Sequence, residues 1–390
     1  MVVGGDPEAR HGIVLAKTDE AKKTGIKTGM VLWEAKQKCP GLVCLSPDYK
    51  LYIKFSRMVR SIFDSYTDQV EPFGLDECWL DVSEPGKELD HGVMVADEIR
   101  GRIWRELGIT ASVGVGHDKI MAKLGSDYRK PDATTLMGPE EMKTLAWSLP
   151  ASDLLYVGPA TAKKLARIGV TTIGRLAAME PDQLQSMLGK PGVTLWVFAN
   201  AMDTSPVRHT EPTAVDTRPM ESIGNSTTTP RDLVNDEDVK LTFYLLSESV
   251  AERLRDCGLR ARVIEISVRD NQLYSFVRQH KIQRATYISA EIAEEAMRLF
   301  RKNYSFEKQR PLRSIGVRGS DLETADKAIQ LSMFIDEGGR VQQETLERTL
   351  DDVRRRFGNF SIRRGMMFKD TGLSGISPKD DHVIHPLAYL

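Results

Sequence analysis

Two adjacent carboxylates, Asp76 and Glu77, interrupt the apolar stretch Val-Glu-Pro-Phe-Gly-Leu-Asp-Glu-Cys-Trp-Leu-Asp-Val at residues 70–82. Carboxylates are costly to hold beside large apolar side chains unless a positive charge neutralises them. A hard cation such as Mg²⁺ does this with oxygen ligands. Neighbours on a regular strand point to opposite faces, so both acids can face one ion only if Gly74 bends the strand. The alternative is a hairpin tip that carries two solvated acids.

The elements that must position these acids alternate between strand-like and helix-like patterns over residues 1–146. Apolar residues recur at helical spacing over 51–65 and 93–107, whereas 70–82 is typical of a hairpin. A helical stretch at 147–207, a polar linker at 208–221 and an α+β stretch at 222–320 follow. The sequence therefore predicts a multidomain α/β (α+β) protein, with a second linker at 321–337 and a C-terminal extension at 338–390.

Composition limits the class of protein. The chain has 390 residues, a hydrophobic content of 41% and a net charge of −1, which are typical of a soluble multidomain protein. The four cysteines have neither metal-ligand spacing nor a disulfide pattern, so we expect a cytoplasmic protein. No apolar run reaches the roughly 18 residues that a membrane span needs, so no membrane partner is expected. The overall charge predicts no binding partner, so any prediction of a partner depends on local clusters of basic residues.

Residues 114–131 combine glycines with basic residues. Gly114 and Gly116 predict a turn after a strand and before a helix, and a helix N-terminus with nearby lysines suits phosphate. Lys123 and Lys130 could then hold a triphosphate. The alternative is a solvated basic helix.

Residues 156–169 are typical of a helix-hairpin-helix. A glycine turn at Gly158 would expose backbone N–H groups at the start of a helix, with Lys163 and Lys164 following. Such a turn binds a DNA phosphate without reading sequence. The second glycine of the usual turn is replaced by Pro159, and a plain helical hairpin remains the alternative.

Two further segments suggest binding partners. Residues 301–318 contain six basic residues and one acid, and arginines such as Arg255 precede them, which predicts a basic sheet face for a nucleic-acid backbone. The peptide Gln330–Phe334 carries spaced apolar residues that could dock in a groove on a partner protein. The alternatives are a solvated face for the first segment and, for the second, packing of Leu331 and Phe334 on their own domain.

The order of these motifs resembles that of the Y-family translesion DNA polymerases, from residue 1 to the end of the Gln330–Phe334 peptide. Gly74-Leu75-Asp76-Glu77 matches the family's palm motif, and the segment from Ser112 to Pro131 matches a second one. Ser222-Ile223-Gly224 and Arg313–Arg318 are similar to the two ends of its little finger, and Gln330–Phe334 is similar to its sliding-clamp peptide.

The resemblance implies an architecture and a reaction. The palm and fingers would occupy residues 1–146, the thumb with its helix-hairpin-helix 147–207, the little finger 222–320 and the clamp peptide 321–337. The expected reaction is the template-directed addition of dNTPs to a primer, with two Mg²⁺ ions held by Asp76 and Glu77, in a monomer. Lys22 and Lys130 would bind the nucleotide. The expected DNA contacts are Gly158, Thr161, Lys163, Lys164, Arg313 and Arg318, and the expected clamp contacts are Gln330, Leu331, Met333 and Phe334.

The sequence departs from the family pattern in two places. It lacks the family's strand Asp-x-(Asp/Asn)-x-Phe-Tyr, whose first Asp is a third metal ligand and whose aromatic residue rejects ribonucleotides, so the palm is expected to be incomplete and activity impaired. Asp19 and Lys22 stand where many members have Tyr and Arg, and only Lys22 retains a charge that suits phosphate. A non-catalytic protein that binds DNA and the clamp is the alternative. A cyclase is disfavoured, because it needs neither the helix-hairpin-helix nor the clamp peptide.

Overall fold

The structure is a computed structural model that describes residues 1–5, 12–209, 220–327 and 337–376. Within these residues the chain forms two compact units. One contains residues 1–48 and 220–376, and the other contains residues 49–209. None of the helices in the described ranges is long and apolar enough to cross a membrane.

The first unit begins with a small three-stranded sheet. Strand β1 (Val2–Gly4) lies between the antiparallel β2 (Val14–Lys17) and the parallel β3 (Cys44–Leu45). Helices α1 (Asp19–Lys23) and α2 (Leu32–Lys38) connect β2 to β3. The hydroxyl of Thr18 accepts a hydrogen bond from the Ala21 N–H and so caps the start of α1. The apolar side chains of Val2, Val14 and Leu32 are buried and hold the helices on the sheet.

The second unit opens with a mixed α/β region. Its elements are α3 (Tyr49–Phe63), β4 (Val70–Pro72), β5 (Cys78–Leu80), α4 (Leu89–Leu107), β6 (Val113–Gly116), α5 (Lys119–Tyr128), β7 (Thr134–Met137) and α6 (Pro139–Thr144). Strands β4 and β5 form the predicted hairpin, and β6 and β7 pair in parallel with α5 as the crossover. Ile62 of α3 packs with Ile99 and Ile103 of α4. The helices predicted at 51–65 and 93–107 are therefore confirmed.

Strand β6 lies unusually close to α5. A Cβ atom on Gly114 would lie 1.8 Å from the Ala122 carbonyl oxygen, and one on Gly116 would lie 2.9 Å from the Ala122 nitrogen. Both glycines belong to the strand rather than to a turn after it. Close packing therefore accounts for these glycines, and the prediction that they form a phosphate-binding turn is wrong.

The rest of the second unit is helical, as the sequence predicts. It contains two short 3-10 helices, Ala146–Ser148 and Ala151–Asp153, and the α-helices α7 (Pro159–Arg167), α8 (Ile173–Ala177), α9 (Pro181–Leu188) and α10 (Lys190–Ala199). Each of the α-helices contributes a buried apolar residue to one core, among them Leu165, Leu176 and Leu184. This core makes the segment a stable platform for the turn that precedes α7.

The C-terminal half of the chain belongs to the first unit. It contains β8 (Ser222–Leu233), α11 (Asp236–Asp256), β9 (Leu259–Asp270), β10 (Ser275–Thr286), α12 (Ser289–Asn303) and β11 (Leu312–Thr324). The strands form an antiparallel sheet in the order β10-β9-β11-β8. The two helices pack on it and bury Phe243, Phe300 and Val317. Helix α13 (Glu337–Phe357), a 3-10 helix (Gly365–Phe368) and α14 (Thr371–Ser374) follow.

Helix α13 packs with its charged face inward. Glu347 and Asp351 are buried and form ion pairs of 2.5 and 2.6 Å with Arg255. Leu346, Leu350, Val353 and Phe357 recur at helical spacing along α13. Leu350 and Val353 are half-buried, whereas Leu346 and Phe357 are 56% and 69% exposed, so the buried charges contribute to the packing of this helix as well. Because Arg255 is buried in this contact, its prediction as part of a basic surface is wrong.

Candidate active site

A five-residue turn, Phe73 to Glu77, joins β4 to β5 and carries both candidate carboxylates. Gly74 has a φ of +88°, a conformation that favours glycine, so it bends the chain as the sequence predicts. The N–H of Phe73 donates to the carbonyl of Glu77 at 2.8 Å, and the Arg60 guanidinium donates to the carbonyl of Gly74 at 3.0 Å. The turn is thus fixed by hydrogen bonds from both sides.

The side chains of Asp76 and Glu77 suit a metal ion that also binds substrate. Asp76 is exposed, and Glu77 retains 35% of its side-chain exposure. Within the described ranges no group of three or more His, Cys, Asp or Glu side chains could enclose a metal. Mg²⁺ is commonly held by one or two carboxylates together with water and substrate phosphates rather than by a closed protein cage. Two adjacent carboxylates fit that kind of site.

Basic side chains of the α5 region lie beside the turn. The Lys123 ammonium is 3.1 Å from a Glu77 oxygen and 2.5 Å from an Asp127 oxygen, and Lys130 is 2.7 Å from Asp127. Burial would lower the pKa of Lys123, but Asp127 and Glu77 outweigh it and raise that pKa above its usual value. Lys123 therefore remains a cation next to the candidate metal ligands.

The N-terminus of α5 does not offer the phosphate site that the sequence predicts. The Asp118 carboxylate accepts hydrogen bonds from the N–H groups of Ile120 and Met121 at 2.9 and 2.8 Å. These amides are the ones that a phosphate would use. Only the lysine side chains remain as phosphate contacts in this segment.

A cavity of about 930 Å³ is lined by the Phe73–Glu77 turn, by β5 and β6, and by residues of α3 and α4. Asp76, Glu77, Lys123 and Lys130 all line it. Strands β5 and β6 also line it, and in the described part of the chain each of them pairs with one strand only. The candidate residues thus share one cavity whose walls include two unpaired strand edges.

The thiol of Cys78, next to Glu77, is held in its neutral form. Burial raises the pKa of Cys78 to about 11, so the thiol is neutral at physiological pH. A neutral thiol is a poor nucleophile and a poor metal ligand.

Sequence reasoning missed a buried ionic cluster behind the turn. Glu71 accepts hydrogen bonds from Lys119, from the Arg208 guanidinium and from the Arg208 N–H, at 3.0, 3.0 and 3.1 Å. Lys119 also lies over the ring of Trp79, the residue that pairs with Glu71 across the hairpin. Glu71 itself could have indicated this cluster from the sequence, because a carboxylate in an apolar strand needs a cationic partner.

The predicted helix-hairpin-helix is built around Gly158. This residue precedes α7 without a side-chain cap, and Pro159 at the first helical position has no N–H, so the amides of Ala160 and Thr161 begin the helix. A Cβ atom on Gly158 would meet no atom within 4 Å. Lys163 and Lys164 are exposed on the following turn. The fold itself does not require glycine at position 158.

The remaining candidates lie in the first unit. Arg318 of β11 is 55% exposed, and its guanidinium is 3.7 Å from Glu265 on the neighbouring strand. Arg313 is half-buried at a register irregularity of the same strand. Lys22 is exposed on α1, whose first residue is Asp19. The candidate clamp peptide, Gln330, Leu331, Met333 and Phe334, lies outside the described residues.

Comparisons with known proteins place the chain in a family. Residues 1–127 match the impB/mucB/samB family, and residues 220–333 match the C-terminal domain of that family. The chain is 49% identical to the DNA polymerase IV of Acetivibrio thermocellus over 376 residues, which cover 96% of this chain and 93% of the relative. It is 32% identical to the DNA polymerase IV of Clostridium acetobutylicum, with coverage of 94% and 90%.

The fold is also similar to a solved structure. The Y-family DNA polymerase chimera Dbh-Dpo4(243-245)-Dbh aligns with a TM-score of 0.70 and 22% identity, covering 83% of this chain and 92% of the chimera. That likeness shows the fold, and the relatives above show the family. The chain belongs to the Y-family of DNA-directed DNA polymerases.

Proposed function

We propose that this protein adds dNTPs to the primer of a primer-template DNA during the bypass of template damage. The observation that carries the proposal is the fixed turn that presents Asp76 and Glu77 to a cavity also lined by Lys123 and Lys130. Carboxylates for metal ions and ammonium groups for phosphates are the two groups that phosphoryl transfer needs in one place.

The proposed roles follow from charge and position. Asp76 and Glu77 would hold Mg²⁺, with Glu77 nearest the primer terminus, and Lys130 would donate to the triphosphate. Lys22 is assigned to the triphosphate on family resemblance alone. When bound, the metal ions lower the pKa of the primer 3′-hydroxyl and neutralise charge on the triphosphate.

We assign the subdomains as the resemblance implies: palm and fingers at 1–146, thumb at 147–207, little finger at 222–320 and the extension at 338–390. The shape of the Gly158 turn supports a thumb that contacts a DNA phosphate, with Thr161, Lys163 and Lys164 beside it. Arg313 and Arg318 are proposed as DNA contacts of the little finger. Clamp binding by the Gln330–Phe334 peptide rests on its sequence alone.

The free edges of β5 and β6 support a further proposal about the palm. A strand carrying a third carboxylate would pair with both edges and fill part of the 930 Å³ cavity. A third carboxylate at this place would add negative charge for the metal ions, so we expect a strand that carries one to speed catalysis. The test compares primer extension by this chain with that of a version extended at its N-terminus by a strand containing Asp-x-Asn-x-Phe-Tyr. Equal rates would contradict the proposal.

The experiment for the active site is steady-state primer extension by the variants Asp76→Asn and Glu77→Gln. The variants are made in the 390-residue chain or in the extended version, whichever extends primers. Each variant should lower kcat by about 10²- to 10³-fold while the Kd for primer-template stays unchanged, because the carboxylates act on the reacting phosphate. Asp68→Asn is the matched control, since its acid is exposed in the same unit and pairs with His209, outside the active-site cavity.

The second candidate function is a protein that binds DNA and the sliding clamp without catalysis. The observation in its favour is that no set of three acidic ligands is present within the described ranges. Retained DNA affinity together with undetectable incorporation by both forms would select it.

A further inference from the structure

Residues 354–369 begin in the last turn of α13 and have an unusual composition. They contain five arginines, one lysine, three phenylalanines and no acid. A run of six positive charges without a negative one is a signal of a polyanionic partner. Neither the proposed active site nor the proposed DNA contacts include this segment.

The apolar residues of the segment are divided between core and surface. Met367 is 1% exposed and packs in the core of the first unit, with Met366 beside it. Phe357, Phe360 and Phe368 are 69%, 49% and 65% exposed. The methionines therefore anchor the segment, and the three aromatic rings are largely left to solvent, where they do little for the fold.

Arginine side chains stack on these rings. The guanidinium of Arg356 lies 5.4 Å from the ring centre of Phe357. That of Arg363 lies 5.0 Å from the ring of Phe360 and 5.8 Å from the ring of Phe368, so one cation joins two aromatic rings. We name these five residues, Arg356, Phe357, Phe360, Arg363 and Phe368, the Arg–Phe surface.

The charges of this surface are not neutralised within the fold. Arg354 and Arg364 both pair with Glu248, and Arg355 pairs with Asp256 and Asp352. By contrast, Arg356 and Arg363 have no acidic partner in the described part of the chain, and the guanidinium of Arg363 donates to the neutral carbonyl of Ser374. The arginines that stack on phenylalanine are thus the ones whose charge remains available.

We propose that the Arg–Phe surface is a second nucleic-acid site, one that binds single-stranded polynucleotide. Exposed aromatic rings stack on unpaired bases, and arginine supplies both phosphate contacts and cation–π stacking. A duplex has its bases stacked inside and offers such rings nothing to contact. A second copy of the same surface is disfavoured because its arginines would repel these arginines. The site lies outside the active-site cavity and goes beyond the proposed polymerase function.

The test measures binding of fluorescent 15-mers to the full chain by anisotropy, without metal or nucleotide, so that it is independent of the polymerase reaction. The ligands are oligo(dT), oligo(rU) and an abasic deoxyribose-phosphate 15-mer. The double variant Phe357→Leu with Phe368→Leu keeps apolar volume but removes two rings. Leu346→Ala is the control, since Leu346 is 56% exposed on α13 and has no part in the surface.

We expect the double variant to bind oligo(dT) or oligo(rU) at least about thirtyfold more weakly, because stacking on two rings is lost. The control should bind as the wild type does. The abasic 15-mer should bind both wild type and double variant at the same weak level, since only the phosphate contacts remain. Crosslinks from a 5-bromodeoxyuridine 15-mer, mapped by mass spectrometry, should fall within residues 354–369.

Three outcomes would overturn the proposal. Unchanged binding of both natural 15-mers by the double variant would exclude stacking on these rings. Equal affinity of the wild type for abasic and natural 15-mers would exclude recognition of bases. A concentration-dependent dimer that the double variant loses, without change in oligonucleotide binding, would assign the surface to a second copy of the chain.

Discussion

The ammonium group of Lys123 lies 3.1 Å from a carboxylate oxygen of Glu77. Glu77 is held by the β4–β5 turn and Lys123 by helix α5, so this ion pair joins the two elements that line the cavity. Lys123 is only 15% exposed, and Asp127 on the same helix accepts from it as well. A lysine in this position competes with any cation that binds Glu77.

Replacing Lys123 by methionine should strengthen metal binding in the absence of nucleotide. The change removes a positive charge next to Glu77, and at this distance such a charge contributes on the order of 1 kcal/mol, about a fivefold effect. Titration with Mn²⁺, followed by water proton relaxation, measures the affinity. The same variant should raise the KM for dNTP, since a phosphate contact is lost.

Lys130→Met is the matched control for this titration. Its ammonium contacts Asp127 and has no contact with Glu77 within the described ranges. Its Mn²⁺ affinity should stay within about twofold of the wild type, because the charge is more exposed and better screened. An equal gain in both variants would show that overall charge, rather than the Glu77 contact, sets the affinity.

Glu71→Gln should destabilise the protein in a pH-dependent way. Burial alone would raise the pKa of Glu71, but Lys119 and Arg208 outweigh it and lower that pKa below the usual 4.5. The native state therefore favours the carboxylate, and its contribution is complete above pH 4.5 and lost as pH falls through the native pKa. We expect a loss of about 3 kcal/mol at pH 7, measured by urea unfolding, that shrinks in acid.

Glu84→Gln provides the comparison for Glu71→Gln. Its carboxylate is 52% exposed and pairs with Lys87 at 2.6 Å. Water screens exposed pairs of this kind, so this variant should unfold close to the wild type at every pH. Similar losses in both variants would contradict a special role for burial of Glu71.

Local patterns in the sequence predicted much of the fold and of the candidate site. The glycine at position 74 predicts the bend that its φ of +88° confirms. The spacing of apolar residues predicts helix α4, and Gly158 predicts the uncapped start of α7. Each of these features depends on neighbours within a few residues, which is the range over which sequence patterns specify backbone structure.

Long-range contacts between charges were not predictable in the same way. Glu71 and Arg208 are 137 residues apart, and Arg255 and Asp351 are 96 apart. Leu346 lies on an apolar face of α13 and is nevertheless 56% exposed, because Glu347 of the same helix is buried against the distant Arg255. A helical pattern in the sequence shows that a helix has an apolar and a charged face. The surface on which the helix packs determines which of the two faces is buried.

Arg255→Met should weaken the attachment of α13. The change leaves the buried carboxylate of Asp351 without the cation it pairs with, and leaves Glu347 with Arg364 at 3.6 Å. Breaking a buried pair in this way costs about 3–5 kcal/mol. Urea unfolding measures the loss, and Asp351→Asn in the same background should recover part of it. Arg355→Met is the control, because its pairs are half-exposed and contribute less than about 1 kcal/mol.

Gly114→Ala should prevent β6 from packing on α5. The added methyl group would lie 1.8 Å from the Ala122 carbonyl oxygen and 2.4 Å from the Ser126 nitrogen, both of them backbone atoms that cannot rotate away. We expect a loss of about 3 kcal/mol or more in urea unfolding, because the strand and helix must separate. Gly41→Ala, which meets no atom within 4 Å, should change stability by less than about 0.5 kcal/mol. Since α5 carries Lys123, the separation should also lower nucleotide incorporation, whereas a stable Gly114→Ala protein would show that close packing does not account for this glycine.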